Sequence, residues 1–184
     1  MERLRNTLVA RGVAAMAHES LEQAPVSQEC VLVAGRASDS AHRVFEAARI
    51  SLSHGPECLA MARAKIGKRT VLAVAGSDAR GLVYALLELA DRVNFAADPL
   101  AALNTIKPVS EQPANKVRSV ARAFVSDVED MSWFRDRAFW SNYLTMLAGQ
   151  RFNRFSLTFG IGYDFTTDIS DCYFHFAYPF LLSV

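Results

Sequence analysis

The sequence predicts an α/β fold. Strand and helix signals alternate over the first two thirds of the 184 residues. The last third reads as strand, loop, long helix and strand, a βαβ unit with parallel strands. Between the two lies a stretch with three prolines and no hydrophobic period. These features predict a small α+β domain, its sheet covered by helices, over residues 1–110. Residues 111–184 read as the first βαβ of a (β/α)8 barrel, which needs about 250 residues in full.

The first residues, "MERLRNTLVARGVAAMAHESLEQ", place basic side chains before a partly apolar stretch. Arg11 interrupts that stretch, which therefore falls short of a signal-peptide core. It reads as a helix with Leu4, Leu8 and Ala15 on one side. "ECVLVAG" (29–35) is a short apolar run closed by glycine, a strand. "SDSAHRVFEAAR" opens on capping residues and continues as a helix through about Ala48. "ECLAMAR" (57–63) and "RTVLAVAG" (69–76) are two strands joined around Gly67 as a hairpin.

"SDARGLVYALLELADRV" is capped by Ser77 or Asp78. Its Leu82, Leu86, Leu89 and Val93 recur as a stripe that packs on a sheet. Pro99, Pro108 and Pro113 then mark a linker, with the domain boundary near 108–113. "KVRSVARAFV" is a strand, "SDVEDMSW" a polar loop, and "FRDRAFWSNYLTMLAGQ" a helix. Phe139, Tyr143 and Leu147 line one face of that helix, with Trp140 and Leu144 beside them. "RFNRFSLTFG" is the second strand.

The totals exclude several classes. A formal net charge of +1 leaves no basic footprint for nucleic acid. No run reaches the roughly 18 apolar residues of a membrane span, so no membrane partner and a cytoplasmic location are expected. Cys30, Cys58 and Cys172 are too few and too scattered for a disulfide framework or a metal site. They read as small buried residues, and no cofactor is expected. "VAGSDARGLVYAL" has a strand, a glycine turn and a helix, but Gly76 and Gly81 do not complete GxGxxG and no GKS or GKT follows. Gly76 is therefore expected to make the turn, and Gly81 to let the helix approach the sheet.

In parallel barrels the active site lies at the C-terminal ends of the strands. That rule places Ser126, Asp127, Glu129 and Asp130 on the catalytic face after the first strand. After the second it places Gly160, Gly162, Tyr163 and Asp164 there. Carboxylates and a tyrosine at such positions can hydrogen-bond sugar hydroxyls. An acidic loop before a helix also has a purely structural reading, because negative charge favours a helix N-terminus. Arg118 and Arg122 share a face of the first strand, and an arginine inside a barrel needs a carboxylate or a substrate as partner. Asn153 reads as a structural hydrogen-bonding residue and His175 as a packed core histidine. No Ser/His/Asp triad, metal set or P-loop is present.

"TVLAVAGSDARGLVYALLELADRV" resembles the last strand and long helix of the small α/β domain that precedes the barrel in bacterial β-hexosaminidases and α-glucuronidases. That domain is a small sheet covered by helices on one side. The segment "KVRSVARAFVSDVEDMSWFRDRAFWSNYLTMLAGQRFNRFSLTFGIGYDF" resembles the start of the catalytic barrel in the same glycoside-hydrolase group, most specifically in its "W…FW..YL..LA.QRFN" spacing. The resemblance covers roughly residues 25–184. It implies a hydrolase of O-glycosyl compounds, with a carbohydrate substrate. It also implies that the catalytic carboxylates lie on later barrel strands, so that no catalytic residue is assigned here. Arg118, in "VRS", matches the hexosaminidase arginine that binds sugar hydroxyls, whereas "VARAFVSDVED" departs from that pattern. The choice between hexosaminide and uronide therefore stays open.

The run "YFHFAYPFLLSV" is expected to pack on barrel strands beyond these residues. The chain is accordingly expected to be an inactive N-terminal fragment of a glycosidase. The competing expectation is a non-catalytic module that binds glycans or a partner protein, with Tyr163, Tyr173 and Phe174 at its interface.

Overall fold

The computed structural model describes residues 1–124 and 127–159, with Asp127 and Phe159 described by their backbone alone. Ser126, Gly160, Gly162, Tyr163, Asp164, Tyr173, Phe174, His175 and the C-terminal aromatic run lie outside the described residues. The chain divides into two compact units, Met1–Lys116 and Val117–Val184.

The first unit contains α1 (Glu2–Ala10), β1 (Cys30–Gly35), α2 (Asp39–Ala47), β2 (Leu59–Ile66) and β3 (Arg69–Gly76). It continues through α3 (Ala79–Phe95), α4 (Pro99–Asn104) and β4 (Val109–Glu111). The strands form one sheet in the order β1-β3-β2-β4. β1 runs parallel to β3, whereas β2 is antiparallel to β3 and to β4. Ile66 pairs with Arg69, so the hairpin closes through two residues, and the first, Gly67, has φ +62. A positive φ at that position suits glycine, which carries no Cβ to clash.

Both faces of this sheet are covered. Leu59, Ala60, Met61 and Ala62 are each at most 1% exposed, and so are Val71, Leu72, Ala73, Val74 and Ala75. Successive strand residues point to opposite faces, so burial of every one requires a layer on each side. Ala41, Val44 and Phe45 of α2 pack with Ala60, Ala62, Ala73 and Ala75 on one face. Helix α3 packs on β3 and β2 on the other, with α1 against it. This differs from the one-sided cover that the resemblance implied. The alternating alanines explain it: they leave room for a second helix close to the strands.

Gly81 behaves as expected, whereas Gly76 does not make the turn: it is the last paired residue of β3, without a positive φ, and it too serves close approach. A Cβ on Gly76 would lie 2.0 Å from the backbone N of Leu82, and one on Gly81 would lie 2.1 Å from the carbonyl oxygen of Cys58. The first turn of α3 is therefore pressed against the strand ends. Asp78 caps it, accepting from the backbone N–H of Gly81 at 2.8 Å. That anchoring sets the helix's rotation. Leu89 and Val93 are buried as the stripe predicts, but Leu82 and Leu86 are only half-buried, and Tyr84, Ala85 and Leu87 lie inside instead.

Two other sequence expectations are corrected in this unit. Helix α1 stops at Ala10, so Ala15 lies beyond it, while Leu4 and Leu8 are buried. The stop is a Schellman motif around Gly12 (φ +78), in which Gly12 donates to Val9 O and Val13 donates to Leu8 O. The proline-rich stretch is ordered: Asp98 caps α4 with Pro99 in its first turn, and β4 pairs with the edge of β2. The first unit thus extends to Lys116.

The second unit contains β5 (Ser119–Phe124), α5 (Asp127–Phe134), α6 (Arg137–Gly149) and β6 (Arg154–Phe159). β5 and β6 are parallel and in register from Ser119↔Arg154 to Phe124↔Phe159, as the βαβ reading requires. The segment expected as a polar loop is instead the helix α5. Phe124 holds it in place, meeting Trp133 and Phe134 edge to face at 6.0 and 5.0 Å.

Candidate functional site

The residues after β5 are the sequence's candidate sugar contacts. Glu129 is exposed on α5, and Asp130 is half-buried. The indole N–H of Trp133 donates to Asp130 Oδ1 at 2.7 Å. This bond spans one helical turn and fixes the carboxylate beside an aromatic ring. Asp127 belongs to the same turn through its backbone.

Arg118 lies elsewhere. It precedes β5, at the end of the strand opposite to the carboxylates, and a six-residue strand is about 20 Å long. Its backbone N–H donates to Asn153 Oδ1 at 2.9 Å, and its Nε donates to the carbonyl of Arg151 at 2.6 Å. Its own carbonyl accepts from the N–H groups of Asn153 and Arg154. Arg118 and Asn153 therefore clamp the end of α6 to the start of the strand pair. This is the structural role expected of Asn153. The structure brings Glu129 and Asp130 together on α5 and does not bring Arg118 to them.

Arg122 corrects a second expectation. Ser119, Ala121, Ala123, Arg154, Ser156 and Thr158 are exposed, so the opposite parity of both strands faces the helices. Arg122 has that parity and does not line an open interior. Its guanidinium carbon sits 4.1 Å from the ring centre of Trp133, 5.2 Å from Phe139 and 5.6 Å from Tyr143. Its Nε is buried without a hydrogen-bond partner. Ring quadrupoles supply the attraction that a carboxylate was expected to supply.

The first unit carries polar groups that the strand and motif reading passed over. At the end of β3, Glu57 is 7% exposed with φ +59, and it accepts from Arg80 Nη1 at 2.9 Å. That hydrogen bond and the adjacent charge push the Arg80 guanidinium pKa upward. The Glu57 backbone N–H donates to Asp78 Oδ2, and that of Cys58 donates to Ser77 Oγ, both at 2.9 Å. At the end of β1, Arg36 contacts the Nδ1 of His54, and His42 Nε2 bonds the Arg36 carbonyl oxygen at 2.8 Å. The available signal was position: Arg36 and Ser77 each follow the last residue of a parallel strand.

Among the described residues, no group of three His, Cys, Asp or Glu side chains could hold a metal ion. No helix there is long and apolar enough to cross a membrane. No protein-family model matches this chain, and no curated protein is significantly similar to it.

Proposed function

We propose that the chain is part of a carbohydrate-active hydrolase of O-glycosyl bonds. Its first unit serves as an accessory α/β domain, and its second as the first strand–helix–strand of the catalytic barrel. The supporting observation is the β5/β6 pair. It is parallel, and among the described residues helices cover one face while the other exposes Ser119, Ala121, Ala123, Arg154, Ser156 and Thr158. Further parallel strands continuing such a pair would enclose that face. Glu129 and Asp130 follow the C-terminal end of β5, where barrel enzymes bind substrate. They act here as sugar-hydroxyl acceptors.

Hydrolysis itself needs a carboxylate pair about 5–9.5 Å apart, and none is assigned within these residues. The test is to express the whole reading frame that contains this chain and assay it against aryl hexosaminides and aryl uronides. Turnover of either, with a raised KM in Asp130→Asn, supports the reading. Saturable glycan binding with no turnover of any glycoside would replace it with the non-catalytic module.

A further inference from the structure

We propose that Arg122 is a positioning residue, which acts through the Trp133 indole to fix the Asp130 carboxylate. A penalty at Arg122 points to this role. Arg122 has the helix-facing parity of β5, with Val120 and Phe124. A methionine there would pack on the same rings and bury no polar group. Arg122 instead buries an Nε that has no hydrogen-bond partner, a penalty that packing alone does not explain.

The charge favours one ring. The guanidinium carbon is 4.1 Å from the centre of Trp133, against 5.2 Å for Phe139 and 5.6 Å for Tyr143. The same indole is wedged by Phe124, Phe134 and Trp140, with ring centres 6.0, 6.1 and 5.5 Å away. Its one polar atom, the N–H, donates to Asp130 Oδ1 at 2.7 Å. A cation over an indole draws ring electron density towards itself and leaves the N–H a stronger donor. Arg122, Trp133 and Asp130 therefore form one relay from β5 to α5. A fixed donor on one oxygen holds the carboxylate in one orientation, the preorganisation that recognition of a hydroxyl needs. That purpose rests on reading Asp130 as a sugar-hydroxyl acceptor; the relay itself does not.

The experiment follows the indole N–H signals of the chain by nitrogen-15 NMR. The sequence has two tryptophans, and the Trp140 N–H, which donates to the Phe134 carbonyl at 2.7 Å, is the internal reference. Arg122→Met keeps the packing and removes the charge. It should speed hydrogen exchange at the Trp133 N–H by about tenfold, as for a weakened bond to a charged acceptor, and leave Trp140 unchanged. Arg122→Lys, which keeps the charge, should restore most of the protection. Asp130→Asn should move the Arg122 Nε–H resonance through the indole, a readout that leaves the arginine in place. Equal acceleration at both indoles would overturn the proposal in favour of general loosening. So would no change in Arg122→Met, a lysine variant no better than methionine, or an unmoved Nε–H signal. Absence of glycoside turnover by the whole reading frame, with the indole results as expected, would remove the sugar reading and leave the relay standing.

Discussion

The two units solve the same packing problem differently. In the first, alanine-rich strands are sealed between helices on both faces, and the largest fully buried side chains are non-aromatic, such as Leu59, Met61, Leu72 and Leu89, with Phe45 and Tyr84 buried beside them. In the second, Phe124 and Leu147 are buried, but Trp133, Phe134, Phe139, Trp140, Tyr143 and Phe155 are only half-buried. The first unit depends on close backbone approach, where a single added carbon is felt. The second depends on ring contacts above one face of two strands. Small residues give density only when layers press from both sides; large rings cover area where, among the described residues, one layer packs on the strands.

The largest effect should come from breaking the close approach. Gly81→Val places a side chain on the Cys58 carbonyl and should destabilise the first unit by more than about 4 kcal/mol. Hydrogen exchange of the β3 amides in urea measures it; retained protection would mean that α3 can move away cheaply. In the second unit, Phe124→Ala should cost about 3–5 kcal/mol. Both tryptophans, Trp133 and Trp140, lie in that unit, so its unfolding is followed by their fluorescence. A cost below about 1 kcal/mol would show that the rings repack around the gap.

Asp78→Ala removes an N-cap and should cost the first unit about 1–2 kcal/mol, read from its urea midpoint. Smaller still, and opposite in sign, is the exchange of two arginines. Arg49 (φ +58) and Arg151 (φ +65) occupy the left-handed position of Schellman motifs ending α2 and α6. Arg49→Gly and Arg151→Gly should each stabilise by about 0.5–1 kcal/mol. Thermal melts of the two variants compare the units at matched positions.

The smallest effect concerns pH. Burial pushes the Cys30 thiol above its ordinary pKa, so the folded chain holds that proton more tightly than the unfolded one. The resulting stability is fully present below the unfolded thiol's pKa and is lost as pH rises through the folded value. The melting difference between the parent and Cys30→Ala should therefore be flat at neutral pH and should shift against the parent only on the alkaline side.

Most of the first unit was legible because local chemistry and tertiary structure agree there. "RTVLAVAG" is β-branched and glycine-ended, and Asp78 is a capping residue where a cap is needed. Disagreement arose where a contact distant in sequence decided the outcome. Val109–Glu111 is a strand only because the edge of β2 is there to receive it. "DVEDMSWF" is a helix because Trp133 and Phe134 meet Phe124. The α2 and α6 stops were read to within a residue, at Ala48 and Gln150, although arginine stands where glycine would have signalled them. Of the candidate site, Asp130 was legible as a strand-end carboxylate, and its Trp133 donor was not. Arg122 was placed on the wrong face, because the period of two says which residues share a face but not which face the helices cover.

The two-residue turn at Gly67 has a kinetic consequence. Its hairpin joins residues adjacent in sequence, so its loop-closure entropy is small, and such hairpins form in about 1–10 μs. β1 must instead find β3 from Cys30↔Val71, across α2 and the loop beyond it. Pairing of β1 with β3 should therefore be slower to form than the hairpin, and changes in the α2 region should alter the folding rate more than changes in the turn.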